Sequence, residues 1–99
     1  MSGTTRPSRE GSRGTAVVSG AAQGLGQAFA EALAAGGHDV AIIDLQPAEA
    51  TRELVEGHGR AATCFVGDAS DADAVADFVR QVRAEMAPVR VLVNNAGIS

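Results

Sequence analysis

Four short apolar runs, separated by three longer stretches with helical spacing, constrain this chain more than any other feature of its sequence. Thr15-Ala16-Val17-Val18-Ser19 reads as a first strand that runs into glycine. From Gly24 to about Gly36, Leu25, Phe29, Ala32 and Leu33 recur at helical spacing, and the pair Gly36-Gly37 is a natural stop. Val40-Ala41-Ile42-Ile43-Asp44 is a second strand, apolar at every position but its last. Pro47 suits the first turn of a helix that lasts until Gly57 and Gly59. Ala61 to Val66 is a third strand. Ser70, with Asp73 three residues later, resembles a capping box, and the helix it opens sets Val75, Phe78, Val79, Val82 and Met86 on one stripe. Pro88 closes that helix, and Val89 to Val93 is a fourth strand.

Strands joined by helical crossovers must run parallel, because a tight hairpin cannot connect parallel neighbours. Strands that are apolar throughout need cover on both faces, which is the pattern of an α/β sheet. Right-handed crossovers then limit the topology. The expected fold is α/β, the first half of a Rossmann-type doubly wound parallel sheet, β-α-β-α-β-α-β with strand order 3-2-1-4. The fourth strand is expected to have an open apolar edge, since the helix near Ser70 covers its face almost alone. Such an edge makes an isolated chain prone to association and marginally stable.

Composition narrows the classes of function. The chain has 99 residues, enough for one domain, and its 45% apolar and 20% charged residues fit a globular chain. Residues 1–13 read as a flexible polar tail and residues 14–99 as the domain. The net charge of −4, with no basic stripe, excludes nucleic acid as an expected partner. No apolar run approaches the roughly 20 residues needed to cross a bilayer, and no membrane partner is expected. Cys64, the one cysteine, cannot form an internal disulfide and reads as a buried structural thiol; a cytoplasmic protein is expected. His38 and His58 lack other ligands at metal spacing, so no metal site is expected. Asp71, Asp73 and Asp77 read as a solvated helix start rather than a cation site.

The junction of the first strand and first helix is Ser19-Gly20-Ala21-Ala22-Gln23-Gly24-Leu25-Gly26. Gly20 permits the sharp turn out of the strand, Gly24 lets backbone approach a pyrophosphate, and Gly26 lets the helix pack close to the sheet. The N–H groups of the helix start, with the helix dipole, favour an anion there. A tight βα connection that binds nothing is the alternative. Asp44 ends the second strand, some ~20 residues past the turn, where an acid meets the adenosine ribose hydroxyls of a dinucleotide. A carboxylate accepts from a ribose diol and repels a 2′-phosphate, and no Arg or Lys occupies positions Ala22, Gln23, Leu45 or Gln46. This favours NAD over NADP. The competing role for Asp44 is to cap the turn that follows its strand.

With these pieces in place the chain resembles the short-chain dehydrogenase/reductase family. The family's Thr-Gly-x-x-x-Gly-x-Gly motif is matched with Ser19 in place of Thr, its acid after the third strand by Asp68 in Gly67-Asp68-Ala69-Ser70, and its Asn-Asn-Ala-Gly run by Asn94-Asn95-Ala96-Gly97. The resemblance implies that Gly20, Gln23, Gly24, Leu25 and Gly26 cradle the pyrophosphate. It implies Asp44 and Leu45 at the adenosine ribose, Asp68 and Ala69 at the adenine, and the backbone of Asn95, Ala96 and Gly97 at the nicotinamide ribose, with Asn94 tying the fourth strand to its neighbours. It further implies hydride transfer between NAD(H) and an alcohol or carbonyl substrate in a full-length homo-oligomer.

The family's catalytic Ser and Tyr-x-x-x-Lys lie downstream of these motifs, and this chain contains no Tyr and no Lys, its positive charge being carried wholly by Arg. No catalytic residue is therefore assigned, and the 99 residues alone are expected to be inactive. A truncated, non-catalytic dinucleotide-binding fragment is the second reading, and a binder of S-adenosylmethionine the third. The spacing of Gly20 and Gly24 and the Asn94 to Gly97 run argue against the third.

Overall fold

The computed structural model describes residues 11–95. Residues 1–10 of the expected tail, and Ala96 and Gly97 among the expected site residues, lie outside the described residues. The elements are β1 (Thr15–Ser19), α1 (Gly24–Ala35), β2 (Asp39–Asp44), α2 (Glu49–Gly57), β3 (Ala62–Val66), α3 (Ala72–Glu85) and β4 (Val89–Asn94). All three strand pairings are parallel, and the sheet order is β3-β2-β1-β4, as expected.

The central strands show why an uninterrupted apolar run was needed. In β2, Val40 and Ile42 join the core beneath α1 and α2, together with Val18, Ala30, Ala34 and Val55. The alternate residues Ala41 and Ile43 join Phe78, Val82 and Met86 on the other face. Successive side chains of a strand point to opposite faces, so both must be apolar when helices cover both. Among the described residues, α3 is the one helix contributing to that second cluster. Its cover falls short of β4, where Val89 is 48% and Leu92 73% exposed.

Three local expectations are corrected. In α1 the buried residues are Gly26, Ala30 and Ala34, while Leu25 and Phe29 are exposed and Leu33 packs only at the core's margin. A stripe of small residues brings the helix axis close to the sheet, and the larger side chains are turned outward. In α2, Pro47 precedes the N-cap, Ala48, and does not occupy the first helical turn. In α3 the cap is Asp71, whose carboxylate accepts from the Asp73 N–H at 3.0 Å, and not Ser70.

The amino ends of the strands are tied separately. The Thr15 hydroxyl donates to the Ala87 carbonyl at 2.6 Å, and the Arg13 N–H donates to Gly37 at 2.9 Å. Buried Asp39 accepts from the Ala61 N–H at 2.9 Å with Arg60 at 3.9 Å, which joins the starts of β2 and β3.

Candidate functional site

Because all four strands run in one direction, their carboxyl ends share one edge of the sheet. A cleft of about 500 Å³ opens there, lined by Gly20 after β1, Ile43, Asp44 and Leu45 at the end of β2, Gly67 to Ser70 after β3, and Asn94 at the end of β4. Parallel α/β sheets characteristically bind ligands outside this edge.

The glycine turn is shaped for backbone approach. Gly20 has φ +71° and Gly24 φ +64°, a region that side chains with a Cβ rarely adopt. A Cβ on Gly24 would meet nothing within 4 Å, so the backbone there faces open space. A Cβ on Gly26 would collide with the Gly20 carbonyl and lie 2.7 Å from the Asn95 amide nitrogen. The three glycines thus allow the turn, leave the backbone at Gly24 open, and let the start of α1 pack against the turn, respectively. The N-cap residue Gln23 makes no side-chain cap bond, and the first turn of α1 carries no acidic residue. By contrast, α2 has Glu49 and α3 has Asp73 in that position. The positive end of α1 is therefore left without negative charge from its own helix.

The carbonyls from Gly20 to Ala22, and the N–H groups of Gly20 and Ala22, each have a partner. The Gly20 N–H donates to Ile43 at 2.9 Å, and the Gly20 carbonyl accepts from the Asn95 side-chain amide at 2.9 Å. The Ala21 carbonyl accepts from the Thr51 hydroxyl at 2.6 Å. The Ala22 carbonyl accepts from the Gln27 amide at 3.3 Å, and that amide also donates to the Thr51 hydroxyl at 3.0 Å. The Ala22 N–H donates to Asp44 Oδ2 at 2.9 Å, and the Gln46 N–H donates to Asp44 Oδ1 at 2.8 Å.

Asp44 therefore caps its own turn while joining β2 to the glycine turn. A carboxylate has about four acceptor positions, so the two backbone bonds leave capacity for ligand hydroxyls. At the far side of the cleft, Asp68 Oδ1 accepts from both the hydroxyl of Ser70 (2.7 Å) and its N–H (2.8 Å). These bonds, the hydroxyl's first and then the N–H's, hold the Asp68 carboxyl below the usual carboxylate range against a small opposing effect of desolvation. The Ser19 hydroxyl donates to Asn94 Oδ1 at 3.1 Å across the β1–β4 pair, which ties β4 to its neighbour.

Gly20, Asp44, Leu45, Asp68 and Ala69 of the expected site line the cleft, and Gln23, Gly24, Leu25 and Gly26 form the adjoining helix start. Asn95 approaches through its side chain behind the turn. Sequence reasoning missed Thr51 and Gln27. Thr51 is fully buried, and its one signal is a polar residue sharing the inward stripe of α2 with Val55. Gln27 lies within a helix whose other cues concern only apolar positions.

A dinucleotide matches this arrangement on three counts: an uncapped helix start beside a glycine with open space, an acid across from it, and a cleft continuing to Asp68. The family profile for short chain dehydrogenases matches residues 14–99, and the chain belongs to this family. Over 85 residues it is 35% identical to 2,3-dihydro-2,3-dihydroxybenzoate dehydrogenase of Bacillus subtilis, covering 84% of this chain and 33% of that protein. It is 36% identical to gluconate 5-dehydrogenase of Gluconobacter oxydans, covering 84% of this chain and 33% of that protein. A short chain dehydrogenase from Mycobacterium paratuberculosis, solved bound to NAD, superposes with a TM-score of 0.82 at 28% identity, over 90% of this chain and 38% of that one. Carveol dehydrogenase from Mycobacterium avium, solved in complex with NAD, superposes at 0.69 with 27% identity, over 74% of this chain and 32% of that one. The chain spans about a third of the length of the curated relatives it matches.

Proposed function

We propose that this chain is the coenzyme-binding part of an NAD-dependent oxidoreductase that moves a hydride between NAD(H) and an alcohol or carbonyl substrate. One observation carries the reading. The cleft lined by Gly20 and Asp44 adjoins the uncapped start of α1, and the bond from the Ala22 N–H to the Asp44 carboxylate joins the two. The first suits a diphosphate and the second a ribose diol. Bound coenzyme supplies the hydride chemistry. The chain's own residues bind and orient it: Gly20 and Gln23 to Gly26 at the diphosphate, Asp44 and Leu45 at the adenosine ribose, Asp68 and Ala69 at the adenine, and Asn95 to Gly97 toward the nicotinamide ribose.

NAD is preferred to NADP because the Asp44 carboxylate would oppose a 2′-phosphate and no cation occupies positions 22, 23, 45 or 46. Two relatives of known structure carry NAD, which supports the same choice. The 99 residues contain no Tyr and no Lys, so the acid/base pair that the resemblance implies is not among them. We expect them to bind coenzyme without turning over an alcohol by themselves, which is also what a non-catalytic binding fragment would do. The reading extends to a full-length homo-oligomer in the cytoplasm acting on a small molecule, in keeping with one unpaired cysteine.

Calorimetric titration of the purified protein with NAD, NADP and S-adenosylmethionine tests the proposal. NAD is expected to bind, NADP at least tenfold more weakly, and S-adenosylmethionine not at all. Tighter binding of S-adenosylmethionine, or amide resonances of Gly20 to Gly26 that stay unmoved at saturating NAD, would overturn it.

A further inference from the structure

We infer that Thr51 and Gln27 are positioning residues for the coenzyme: they hold the carbonyls of the glycine turn away from the diphosphate so that it meets N–H groups. This rests on the coenzyme site proposed above and concerns two residues that no motif in the chain marks.

A glycine-rich turn has as many carbonyl oxygens as amides, and a peptide that flips exchanges one for the other. Glycine makes such flips easy, since both signs of φ are open to it. Selectivity for an anion then depends on what pins the oxygens. Here each carbonyl from Gly20 to Ala22 accepts a side-chain hydrogen bond from outside the turn: Gly20 from Asn95, Ala21 from Thr51, and Ala22 from Gln27. Thr51 and Gln27 act as one unit. The Gln27 amide has two N–H donors, one on the Ala22 carbonyl and one on the Thr51 oxygen, and the Thr51 hydroxyl proton is given to Ala21 at 2.6 Å, with the Ala22 carbonyl a more distant second acceptor at 3.4 Å. Every donor in the pair is used, and Thr51 is fully buried, so no water competes for the Ala21 oxygen. The pair reaches the turn from the body of α1 and from α2, whereas the amides proposed to meet the diphosphate belong to the start of α1. Losing the pair would leave the Ala21 and Ala22 oxygens free to turn toward the diphosphate, where they would repel it.

The test measures NAD and adenosine binding by NMR titration of the purified wild type, Thr51→Val, Thr51→Ser and Gln27→Met. Adenosine has no diphosphate and reports general damage to the cleft. Thr51→Val is expected to weaken NAD about tenfold and adenosine less than twofold, with Thr51→Ser restoring NAD binding. Equal loss of NAD and adenosine, or wild-type NAD affinity in Thr51→Val, would overturn the inference. If Thr51→Val does not fold, Gln27→Met decides: half-buried and dispensable to the core, it is expected to weaken NAD at least threefold with adenosine unchanged, and wild-type affinity would refute the role. A wild type that binds no NAD would instead fail the coenzyme reading itself, and this inference with it.

Discussion

The side-chain amide of Asn95 donates to the carbonyl of Gly20 at 2.9 Å, tying the end of β4 to the first residue of the glycine turn. The same nitrogen lies where a Cβ on Gly26 would intrude, so strand, turn and helix meet at one contact. Asn95→Ala removes the donor and leaves a partly buried carbonyl short of a partner. A loss of about 1–2 kcal/mol is expected, read as a lower urea midpoint with an unchanged slope. A midpoint equal to that of the wild type would show that the bond contributes nothing to folding.

Two glycines separated by one residue should respond differently to the same substitution. Gly26→Ala drives a methyl into the Gly20 carbonyl, a backbone atom that cannot swing aside, and about 3 kcal/mol of destabilisation is expected. Gly24→Ala meets no neighbour and bears only the strain of its positive φ, about 1–2 kcal/mol. Its larger effect falls on coenzyme affinity, because the added methyl occupies the open approach. Equal denaturation midpoints for the two variants would contradict this account.

Asp44→Ala removes the charge that, in the proposed coenzyme site, would oppose a 2′-phosphate, and also the acceptor for two backbone N–H groups. The ratio of NADP to NAD affinity is expected to rise at least tenfold, mainly through weaker NAD binding. Calorimetry on both coenzymes reads the ratio directly, and an unchanged ratio would mean that the acid serves only its turn.

The Asp68 carboxyl, bonded first by the Ser70 hydroxyl and then by its N–H, titrates below the usual range. A folded-state value below the unfolded one stabilises the fold above the ordinary carboxylate range, and that contribution disappears as pH falls through the lowered folded value. Ser70→Ala removes the leading cause, so the Asp68 carboxyl resonance should titrate closer to the ordinary range. An unmoved titration curve in a carbon-detected NMR experiment would assign the shift elsewhere.

Burial pushes the Cys64 thiol up, with Arg52 opposing and Glu49 and Glu56 adding to the rise. The thiolate is the reactive form, so modification by a disulfide reagent at mildly alkaline pH should be several-fold slower in the folded protein than in urea. Equal rates would show the thiol to be freely exposed.

The sheet and its order were legible because a strand covered on both faces must be apolar at every position, and Val40 to Ile43 obeys this without exception. The cleft edge was legible because Gly20 and Asp68 follow strands while Asp44 and Asn94 end them. Less visible was the inward face of α1, since spacing favoured Leu25 and Phe29 while close packing at Gly26 selected Ala30 and Ala34. Asp71 displaced Ser70 as the cap because Ser70 is engaged with Asp68. The Thr51–Gln27 pair was beyond reach, because hydrogen bonds spanning 24 and 30 residues leave no periodic trace.

The Asp39–Arg60 pair and the Thr15 hydroxyl bond fasten the sheet at the rim opposite the glycine turn. Part of the sheet's fastening therefore lies away from the cleft, where a substitution leaves the bonds of the glycine turn untouched. A lineage could drift in its thermal range by altering that anchored rim while the cleft kept its geometry.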